Sequence, residues 1–504
     1  MEPYTYVSLG LYLLVMLGIG LYSFKQSSTD VEGYMLGGRS LSPKVTALSA
    51  GASDMSGWML MGLPGAMYVS GISSAWIAVG LVIGAYLNYL WVAPRLRVYT
   101  ELAKNALTIP DYFANRFNDS SHSLRLISSV VIVIFFTLYT SSGVVAGGKL
   151  FESSFGLSYE MGLYVTAGVV VAYTLLGGFM AVSMTDFVQG CIMFVSLVLV
   201  PVVVLFDLGG FNGAASHLAT YDADFLNLFI DASTGQAMSV IGIISLLSWG
   251  LGYFGQPHII VRFMAIRSVT DIKTARKIGI SWMVVSIIGS LATGILGLAY
   301  VTKTQGALQD PETIFIYLSQ ILFHPLISGF LLGAILAAIM STISSQLLVT
   351  SSSLTGDFYQ AFFRKNASQK ELITAGRISV ALVALVSIYL AYDRDSTILN
   401  LVSNAWAGFG AAFGPVVLIS LFWKKMTRLS AILGMLSGAI TVLIWIYAPL
   451  TINGQALSNW LYEIVPGFIV CSLTIVTFSL LSKQDDQLVS DTFEKVQHTL
   501  KQLV

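Results

Sequence analysis

The chain of 504 residues is 55% hydrophobic and only 10% charged, and its formal net charge at pH 7 is +0. The core of a water-soluble protein could not bury so many apolar side chains. A chain without net charge also gives no sign of the basic surface that binds nucleic acid. The two cysteines, Cys191 and Cys471, fall within apolar stretches and predict neither a disulfide framework nor a metal site. The sequence therefore predicts an integral membrane protein whose surroundings are the lipid bilayer, with no nucleic-acid partner.

Apolar segments of about 20 residues, each long enough to cross the hydrocarbon as a helix, fill most of the chain. We predict an all-α membrane protein with about 13 transmembrane helices. Their approximate cores are 5–23, 45–67, 75–93, 125–150, 160–178, 186–206, 237–259, 279–301, 325–352, 373–391, 398–422, 429–448 and 464–482.

Basic residues set the predicted orientation, because cytoplasmic loops of membrane proteins carry an excess of lysine and arginine. If the loop holding Arg39 is cytoplasmic, all but three of the 26 basic residues fall on that side, Arg262 and Lys483 among them. The three exceptions are Lys149, Lys303 and Arg394. We therefore expect an external N-terminus and a cytoplasmic C-terminus.

Span 2 carries an acid in the stretch TALSAGASDMSGWML, residues 46–60. An unpaired aspartate near the middle of a membrane helix costs roughly 2.5 to 3.5 kcal/mol, so Asp54 indicates an ion or substrate pathway. Small and polar residues follow helical spacing at Ser49, Ser53, Ser56 and Gly57, which predicts a stripe that faces protein. The alternative is a packing stripe in which Asp54 bonds to a backbone amide.

Span 7 carries a second irregular stretch, LSWGLGYFGQPH, residues 247–258. Its glycines and Pro257 disfavour a continuous helix, and broken membrane helices are tolerated where they line a protein cavity. Spans 2 and 7 are five spans apart, which predicts a five-plus-five inverted repeat whose breaks meet near the bilayer midplane. The alternative for span 7 is close helix packing with a proline kink.

This repeat gives a predicted division of the chain. The segments are 1–44 (external N-terminus, span 1 and cytoplasmic loop), 45–206 (first inverted repeat), 207–236 (external loop), 237–422 (second inverted repeat), 423–482 (spans 12 and 13) and 483–504 (cytoplasmic amphipathic tail).

Three connections carry local predictions. The external loop is acidic, and its pattern favours a solvated loop over a cation-attracting vestibule. In the tail, Val489, Phe493, Val496, Leu500 and Leu503 predict an amphipathic helix for the cytoplasmic face or the headgroups. Asp310 and Pro311 predict the start of a short helix before span 9.

Span 9 contains a hydroxyl stripe in AIMSTISS, residues 338–345, where Ser341, Thr342 and Ser345 share a face. Hydroxyls and free carbonyls are the hard oxygen ligands that a hard cation such as Na⁺ needs. The alternative is that these hydroxyls bond back to their own helix, which is their commonest state in membrane helices.

Aromatic side chains near the breaks predict a pocket for an organic substrate. The set is Trp58, Tyr139, Trp249, Tyr253 and Phe254. A small ring-bearing zwitterion suits such a pocket, with its carboxylate at a half-helix N-terminus and its ring on the aromatics. The alternative is a belt at the membrane interface. Metalloprotease and phosphate-loop motifs are absent from the sequence, which favours a transporter over an enzyme.

Seven segments together resemble the sodium/solute symporter family over nearly the whole chain. They are GGRS at Arg39, ALSAGASDMSGW at Asp54, GLPGA from Gly62, TIPDYF from Thr108, SWGLGYFGQPH at Trp249, LAAIMSTISSQLL at Ser341 and WAGFGAAFGPVVL from Trp406. Within the family, SAGASDMSGW and WGLGYFGQPH are similar to the branch that transports proline.

The resemblance implies a set of functional residues. The Na⁺ site would use the carbonyls of Ala52, Met55 and Ala338 and the hydroxyls of Ser341 and Thr342, with Asp54 in the same critical segment. Substrate contacts would come from Ser56, Gly57, Gly62, Tyr139, Trp249, Tyr253 and Pro257. Arg39 and Asp186 match positions that influence sodium coupling or gating.

The resemblance also implies the activity: sodium-dependent uptake of L-proline by symport with alternating access, in the cytoplasmic membrane of a bacterium. Na⁺ would be the co-transported ion, and no obligatory protein partner is expected. A sodium symporter for another small solute, or a transporter-like solute sensor, are the alternatives. The short C-terminal tail argues against the sensor.

Overall fold

Long apolar helices dominate the chain in a computed structural model that describes residues 3–26, 31–393, 397–482 and 486–503. Within those residues, ten helices are long and apolar enough to cross a membrane, and two shorter apolar helices span Tyr159–Ala172 and Val240–Gly255. The prediction of an all-α membrane protein is confirmed. The count of ten does not fix the predicted number of spans, because interrupted spans merge with neighbours or fall below the length of a full crossing. Arg394 and Lys483 lie outside the described residues.

The first half of the chain contains ten α-helices. They are α1 (Pro3–Gln26), α2 (Val31–Leu36), α3 (Pro43–Asp54), α4 (Leu63–Ser70), α5 (Ala75–Leu87), α6 (Ala93–Leu102), α7 (Ile109–Arg116), α8 (Ser123–Phe155), α9 (Tyr159–Asp207) and α10 (Gly210–Tyr221). Helix α9 holds the predicted spans 5 and 6, divided at Gly178, whose φ of 60° is left-handed. Span 6 therefore begins near Gly178 rather than at residue 186, and Asp186 lies inside the helix.

The second half contains eleven more. They are α11 (Val240–Leu247), α12 (Pro257–Ala265), α13 (Ile272–Thr304), α14 (Ile314–Leu322), α15 (Pro325–Ser352), α16 (Gln369–Leu390), α17 (Ile398–Phe422), α18 (Arg428–Tyr447), α19 (Leu457–Trp460), α20 (Ile464–Leu481) and α21 (Gln487–Leu503). Two short hairpins pair β1 (Ile230–Asp231) with β2 (Gln236–Ala237) and β3 (Thr451–Ile452) with β4 (Gln455–Ala456).

Tighter and wider helical turns interrupt these elements. The 3₁₀ turns are Gly37–Arg39, Gly71–Ser74, Ser248–Gly255, Val269–Asp271 and Pro311–Thr313, and the π-helical segments are Trp58–Gly62, Asn88–Val92 and Ser353–Phe363. Such departures from α-helix often mark functional or strained positions. Two of them coincide with the predicted breaks in spans 2 and 7.

Helix α15 lies at the centre of the bundle and α1 at its edge. In the helical stretch that contains α15, 83% of the most apolar 18 residues are buried inside the protein, against 28% in α1 and 28% in α20. Helix α15 packs against α1, α3, α8 and α9. Its hydroxyl stripe therefore faces other helices rather than lipid.

Two predicted local elements are confirmed. Asp310 accepts a hydrogen bond from the Glu312 amide at 3.0 Å, with Pro311 in the first turn of the short helix before α15. The C-terminal helix α21 buries Val489, Phe493, Val496 and Leu500, whereas Leu503 is exposed. Since α21 packs against α6, its apolar face is covered by protein.

Candidate functional site

The break in span 2 is a loss of helical hydrogen bonding after Asp54. Helix α3 starts with Ser42 as its cap and Pro43 in its first turn, and the Met55 amide still bonds to the Gly51 carbonyl at 2.9 Å. The Ser56 amide then turns to the Asp54 carbonyl at 3.0 Å. In a continuous α-helix that amide would bond to Ala52. The break therefore frees the Ala52 carbonyl for another donor or for a cation.

The break in span 7 combines a 3₁₀ stretch with an extended residue. Residues Ser248–Gly255 wind as 3₁₀, Gln256 is extended with φ −81° and ψ 106°, and α12 restarts at Pro257. Close packing also explains the glycines: a Cβ at Gly252 would lie 1.9 Å from Trp406 Nε1, and one at Gly250 would lie 2.2 Å from the Gly80 carbonyl. The interrupted helix and the close packing, which the sequence presented as alternatives, occur together.

Four oxygens of the proposed sodium site meet between α3 and α15. The Ser341 hydroxyl donates to the Ala52 carbonyl at 2.8 Å and to the Ala338 carbonyl at 3.1 Å, and the Thr342 hydroxyl reaches Ala52 at 3.4 Å. Ser341, Thr342 and Met55 are buried. If the two hydroxyl groups rotate their hydrogens away, their oxygens and the two carbonyl oxygens can all direct lone pairs at one hard cation. We call these oxygens the oxygen cage.

The ligands of the oxygen cage are hydroxyl and carbonyl oxygens rather than carboxylates or imidazoles. Among the described residues, no three histidine, cysteine, aspartate or glutamate side chains come together as metal ligands. Neutral hydroxyl and carbonyl oxygens bind a cation weakly enough to release it again. The oxygen cage therefore offers neutral oxygen ligands to a cation.

Asp54 links the two interrupted helices. Its Oδ2 accepts a hydrogen bond from the Tyr253 hydroxyl, while its carbonyl accepts from Trp58 Nε1 at 3.3 Å and from the Tyr139 hydroxyl at 3.4 Å. The side chain is 2% exposed. Because the carboxylate bonds to a phenol of span 7, the alternative of a backbone amide partner is not what the structure shows.

The predicted aromatic residues lie around the same two breaks. Trp58 and Trp249 have ring centroids 6.5 Å apart, and Tyr139 stands edge-on to His258 at 5.8 Å. All the proposed aromatic contacts are buried, so an interface belt is excluded for them. The structure thus brings Tyr139, Trp249 and Tyr253 together with the carboxyl end of α3.

The smaller proposed contacts are placed differently. Ser56 is buried and its hydroxyl accepts from the Trp58 amide at 3.4 Å, while Pro257 opens α12. A Cβ at Gly57 would lie 2.9 Å from the Ala146 Cβ, whereas one at Gly62 would lie 3.5 Å from Leu399, which is an ordinary van der Waals distance. Gly57 therefore serves close helix contact in this structure.

Two aromatic residues outside the predicted set complete the cluster. Trp406 donates its indole N–H to the Trp249 carbonyl at 2.7 Å and stands edge-on to Tyr253. Tyr462, two residues before α20, stacks on Trp249 at 5.3 Å, and its hydroxyl donates to the Ser403 carbonyl at 2.8 Å. Trp406 opens WAGFGAAFGPVVL, one of the segments that resemble the family. Nothing in the sequence around Tyr462 indicates that it belongs to this cluster.

Asp186 forms a buried ion pair that the sequence does not reveal. Its Oδ2 lies 3.1 Å from Arg262 and accepts from Ser49 at 2.8 Å, and both charged side chains are fully buried. Arg262 also donates to Ser345 at 2.5 Å. The expectation that Arg262 sits in a loop is wrong, because α12 extends to Ala265 and carries it into the bundle. The pair joins α3, α9, α12 and α15 one turn away from the oxygen cage.

Arg39 joins two chain segments at the end of the bundle. Its guanidinium donates to the Met264 carbonyl at 2.7 Å and to the Ala106 carbonyl at 2.9 Å. Next to it, the Leu41 amide bonds to the Ala265 carbonyl at 3.1 Å. Burial lowers the pKa of Arg39 to about 10, so it remains charged at pH 7. Arg39 therefore holds the C-terminal end of α12 in contact with the segment that precedes α3.

Known proteins share both the sequence and this architecture. The model of the "Sodium:solute symporter family" matches residues 34–438. The high-affinity proline transporter PutP of Bacillus subtilis (strain 168) is 56% identical over 487 residues, 97% of this chain and 100% of that protein. The sodium/proline symporter of Staphylococcus aureus (strain JH9) is 53% identical over 503 residues, 99% of this chain and 96% of that protein.

The fold is also that of a solved sodium-coupled transporter. A Na⁺-coupled sialic acid symporter, in a substrate-bound outward-open state, aligns with a TM-score of 0.79 at 20% identity, covering 96% of this chain and 99% of that chain. The five-plus-five inverted repeat with interrupted spans 2 and 7 therefore describes this chain. The chain belongs to the sodium:solute symporter family, whose members are multi-pass secondary transporters that couple solute movement to Na⁺.

Proposed function

We propose that this protein takes up L-proline together with Na⁺ across the cytoplasmic membrane of a bacterium. The observation that supports this most directly is the high identity to proline transporters over nearly the full length of the chain. Asp54, Trp249 and Tyr253, the residues of the two matched motifs, also meet in one buried cluster.

For the ion, we propose that Na⁺ is bound by the carbonyls of Ala52, Met55 and Ala338 and by the hydroxyls of Ser341 and Thr342. Three hydrogen bonds already link four of these five oxygens: Ser341 to Ala52, Ser341 to Ala338 and Thr342 to Ala52. Asp54 supplies the negative charge beside the site. Arg39 and Asp186 influence coupling through the contacts that hold α12.

For the substrate, we propose that proline occupies the aromatic cluster between the two breaks. The ring of proline would pack on Tyr139, Trp249 and Tyr253, with Ser56, Gly57, Gly62 and Pro257 shaping the surrounding backbone. The N-terminus of α12 at Pro257 offers the positive end of a helix dipole for the substrate carboxylate. The aromatic residues must separate to admit the solute, as alternating access requires.

Sodium coupling supplies enough free energy for concentrative uptake. One charge moving down about 100 mV releases about 2.3 kcal/mol, and a tenfold sodium gradient adds about 1.4 kcal/mol. With one Na⁺ per substrate, the two contributions allow accumulation of several hundredfold. The mechanism needs no covalent step.

We also propose that the N-terminus is external and the C-terminus cytoplasmic, with residues 45–206 and 237–422 as the two inverted repeats. The distribution of basic residues supports this orientation. A single cysteine placed near each terminus and tested with a membrane-impermeant thiol reagent would check it.

Uptake into proteoliposomes tests the function. We expect an imposed sodium gradient to drive concentrative entry of radioactive proline, and dissipation of that gradient to abolish it. Competition by unlabelled amino acids separates proline from another small solute. A protein that binds proline without moving it would instead be a solute sensor.

A further inference from the structure

Tyr462 reaches the aromatic cluster from outside both proposed repeats. It lies in the short connection between α19 and α20, in the part of the chain that follows the second repeat. Its buried ring stacks on Trp249, with ring centroids 5.3 Å apart and ring planes inclined by 23°. A residue of the peripheral helices is therefore in direct contact with one of the proposed substrate-binding residues.

Two hydrogen bonds fix this tyrosine on the second repeat. The Tyr462 amide donates to the Ser245 hydroxyl of α11 at 3.1 Å, and the Tyr462 hydroxyl donates to the Ser403 carbonyl of α17 at 2.8 Å. Helix α11 is the part of span 7 that precedes the break, and α17 packs against the 3₁₀ stretch of the break itself. Tyr462 therefore connects α11 and α17 beside the indole of Trp249.

The peripheral helices hold the connection in place. Just before Tyr462, the Leu461 carbonyl accepts a hydrogen bond from the indole N–H of Trp445 on α18 at 2.8 Å. Just after it, Ile464 is buried against α17, so closely that a Cβ at Gly410 would lie 2.6 Å from it. Because the chain is anchored on both sides of Tyr462, the fold fixes the position of its ring.

The orientation of the Trp249 indole depends on this contact. The Trp249 backbone is held by Trp406, whose indole donates to the Trp249 carbonyl at 2.7 Å. Among the described residues, the Trp249 ring meets two aromatic rings, Trp58 at 6.5 Å and Tyr462 at 5.3 Å. Stacked aromatic pairs contribute free energy beyond the area that they bury. Removal of the Tyr462 ring should therefore let the indole tilt away from the cluster and enlarge the space between the two breaks.

We propose that Tyr462 is a positioning residue that forms, with Trp249, an external lid on the substrate site and limits the size of the solute. This inference rests on the proposed function, which assigns proline to the cluster. In the orientation proposed above, the connection between spans 12 and 13 is external, and α11 is the external part of span 7. A solute that enters from outside passes this pair, and the site closes behind it when the two rings stack.

Uptake into proteoliposomes that contain the full-length protein tests the lid. The two solutes are proline and pipecolic acid, whose ring has one more methylene group. We expect Tyr462→Ala to raise the KM for proline about tenfold and to leave kcat within about twofold, because the lost stack weakens the closed site around the bound solute. The preference for proline, the ratio of the two kcat/KM values, should fall about fivefold, since one methylene group in a tight pocket carries discrimination of about tenfold or more.

Two further variants separate the ring from general effects. Tyr462→Phe keeps the stack and loses only the hydrogen bond to Ser403, so its KM should stay within about threefold of the wild type and its preference for proline should persist. Tyr447→Ala is the matched control, because Tyr447 is an exposed tyrosine at the end of α18. It should leave both quantities unchanged. If Tyr462→Ala does not fold, Tyr462→Leu, which fills space without an aromatic ring, takes its place with the same expected changes.

The outcomes distinguish the lid from the proposed function. Wild-type KM or wild-type preference for proline in the variant that lacks the ring would overturn the lid and leave proline uptake intact. A fall in kcat alone belongs to this outcome, because it indicates a structural role without an effect on the substrate site. Wild-type protein that does not accumulate proline under a sodium gradient would instead overturn the proposed function, and this inference with it.

Discussion

Tyr253 donates its hydroxyl to the Asp54 carboxylate across the gap between the two interrupted helices. The bond joins span 2 to span 7 at the point where both lose α-helical geometry. Each break is therefore positioned by the other. A change in the charge or hydrogen bonding of Asp54 should be felt by the ion site on one helix and the substrate site on the other.

We expect Asp54→Asn to reduce sodium-driven uptake by at least a hundredfold, because the charge that balances the ion is lost. Tyr253→Phe keeps that charge and the ring but removes the phenol, so it should retain measurable uptake with a raised half-saturating sodium concentration. Initial rates in proteoliposomes at varied sodium concentration measure both effects. Unchanged sodium dependence in Asp54→Asn would contradict a role for this carboxylate in coupling.

Ser341→Ala removes the hydroxyl that contacts both carbonyls of the oxygen cage. Loss of one ligand should cost about 1–3 kcal/mol, so we expect the half-saturating sodium concentration to rise by about five- to a hundredfold. Thr350→Ala is the control on the same helix, because among the described residues its buried hydroxyl bonds only to the Gln346 carbonyl. Equal sodium dependence in the two variants would remove Ser341 from the ion site.

The buried pair of Asp186 and Arg262 should dominate the stability of the contact between α9 and α12. Arg262→Met leaves the Asp186 carboxylate buried without its partner, which typically costs about 3–5 kcal/mol. We expect a marked fall in the thermal unfolding temperature in detergent. The double variant Asp186→Asn with Arg262→Met removes both charges and should recover much of that loss. Additive losses in the double variant would show that the two charges act independently.

Periodicity and composition predicted the membrane fold and located the two breaks, because helix propensity and hydrophobicity are local properties of the sequence. The glycines and Pro257 signalled the break in span 7, and Asp54 signalled the site. The Asp186–Arg262 pair could not be predicted in this way. It depends on where α12 ends, and its two members are far apart in sequence and meet only through tertiary packing.

Tyr462 shows the same limit in the site itself. It is an ordinary residue for its segment, a tyrosine in the short connection between α19 and α20. Its importance comes from the residues that it meets, Trp249 through its ring and Ser403 through its hydroxyl. A single sequence carries no record of those contacts.

Glu463 gives a prediction for the pH dependence of stability. It precedes α20, is 2% exposed, and its Oε1 has no partner in the described chain. Burial raises the pKa of Glu463 from 4.5 to about 7. Below pH 4.5 the carboxyl is protonated in both folded and unfolded states. As the pH rises towards 7, the unfolded chain releases its proton first, so stability falls across this window by on the order of 3 kcal/mol and then levels off.

Glu463→Gln is neutral at every pH and should escape this loss. Its unfolding temperature should therefore exceed that of the wild type by an amount that grows between pH 5 and pH 8. Glu160→Gln, at the exposed start of α9, is the control and should follow the wild-type profile. Parallel profiles for Glu463→Gln and the wild type would mean that Glu463 acquires a partner or water that the buried position does not reveal.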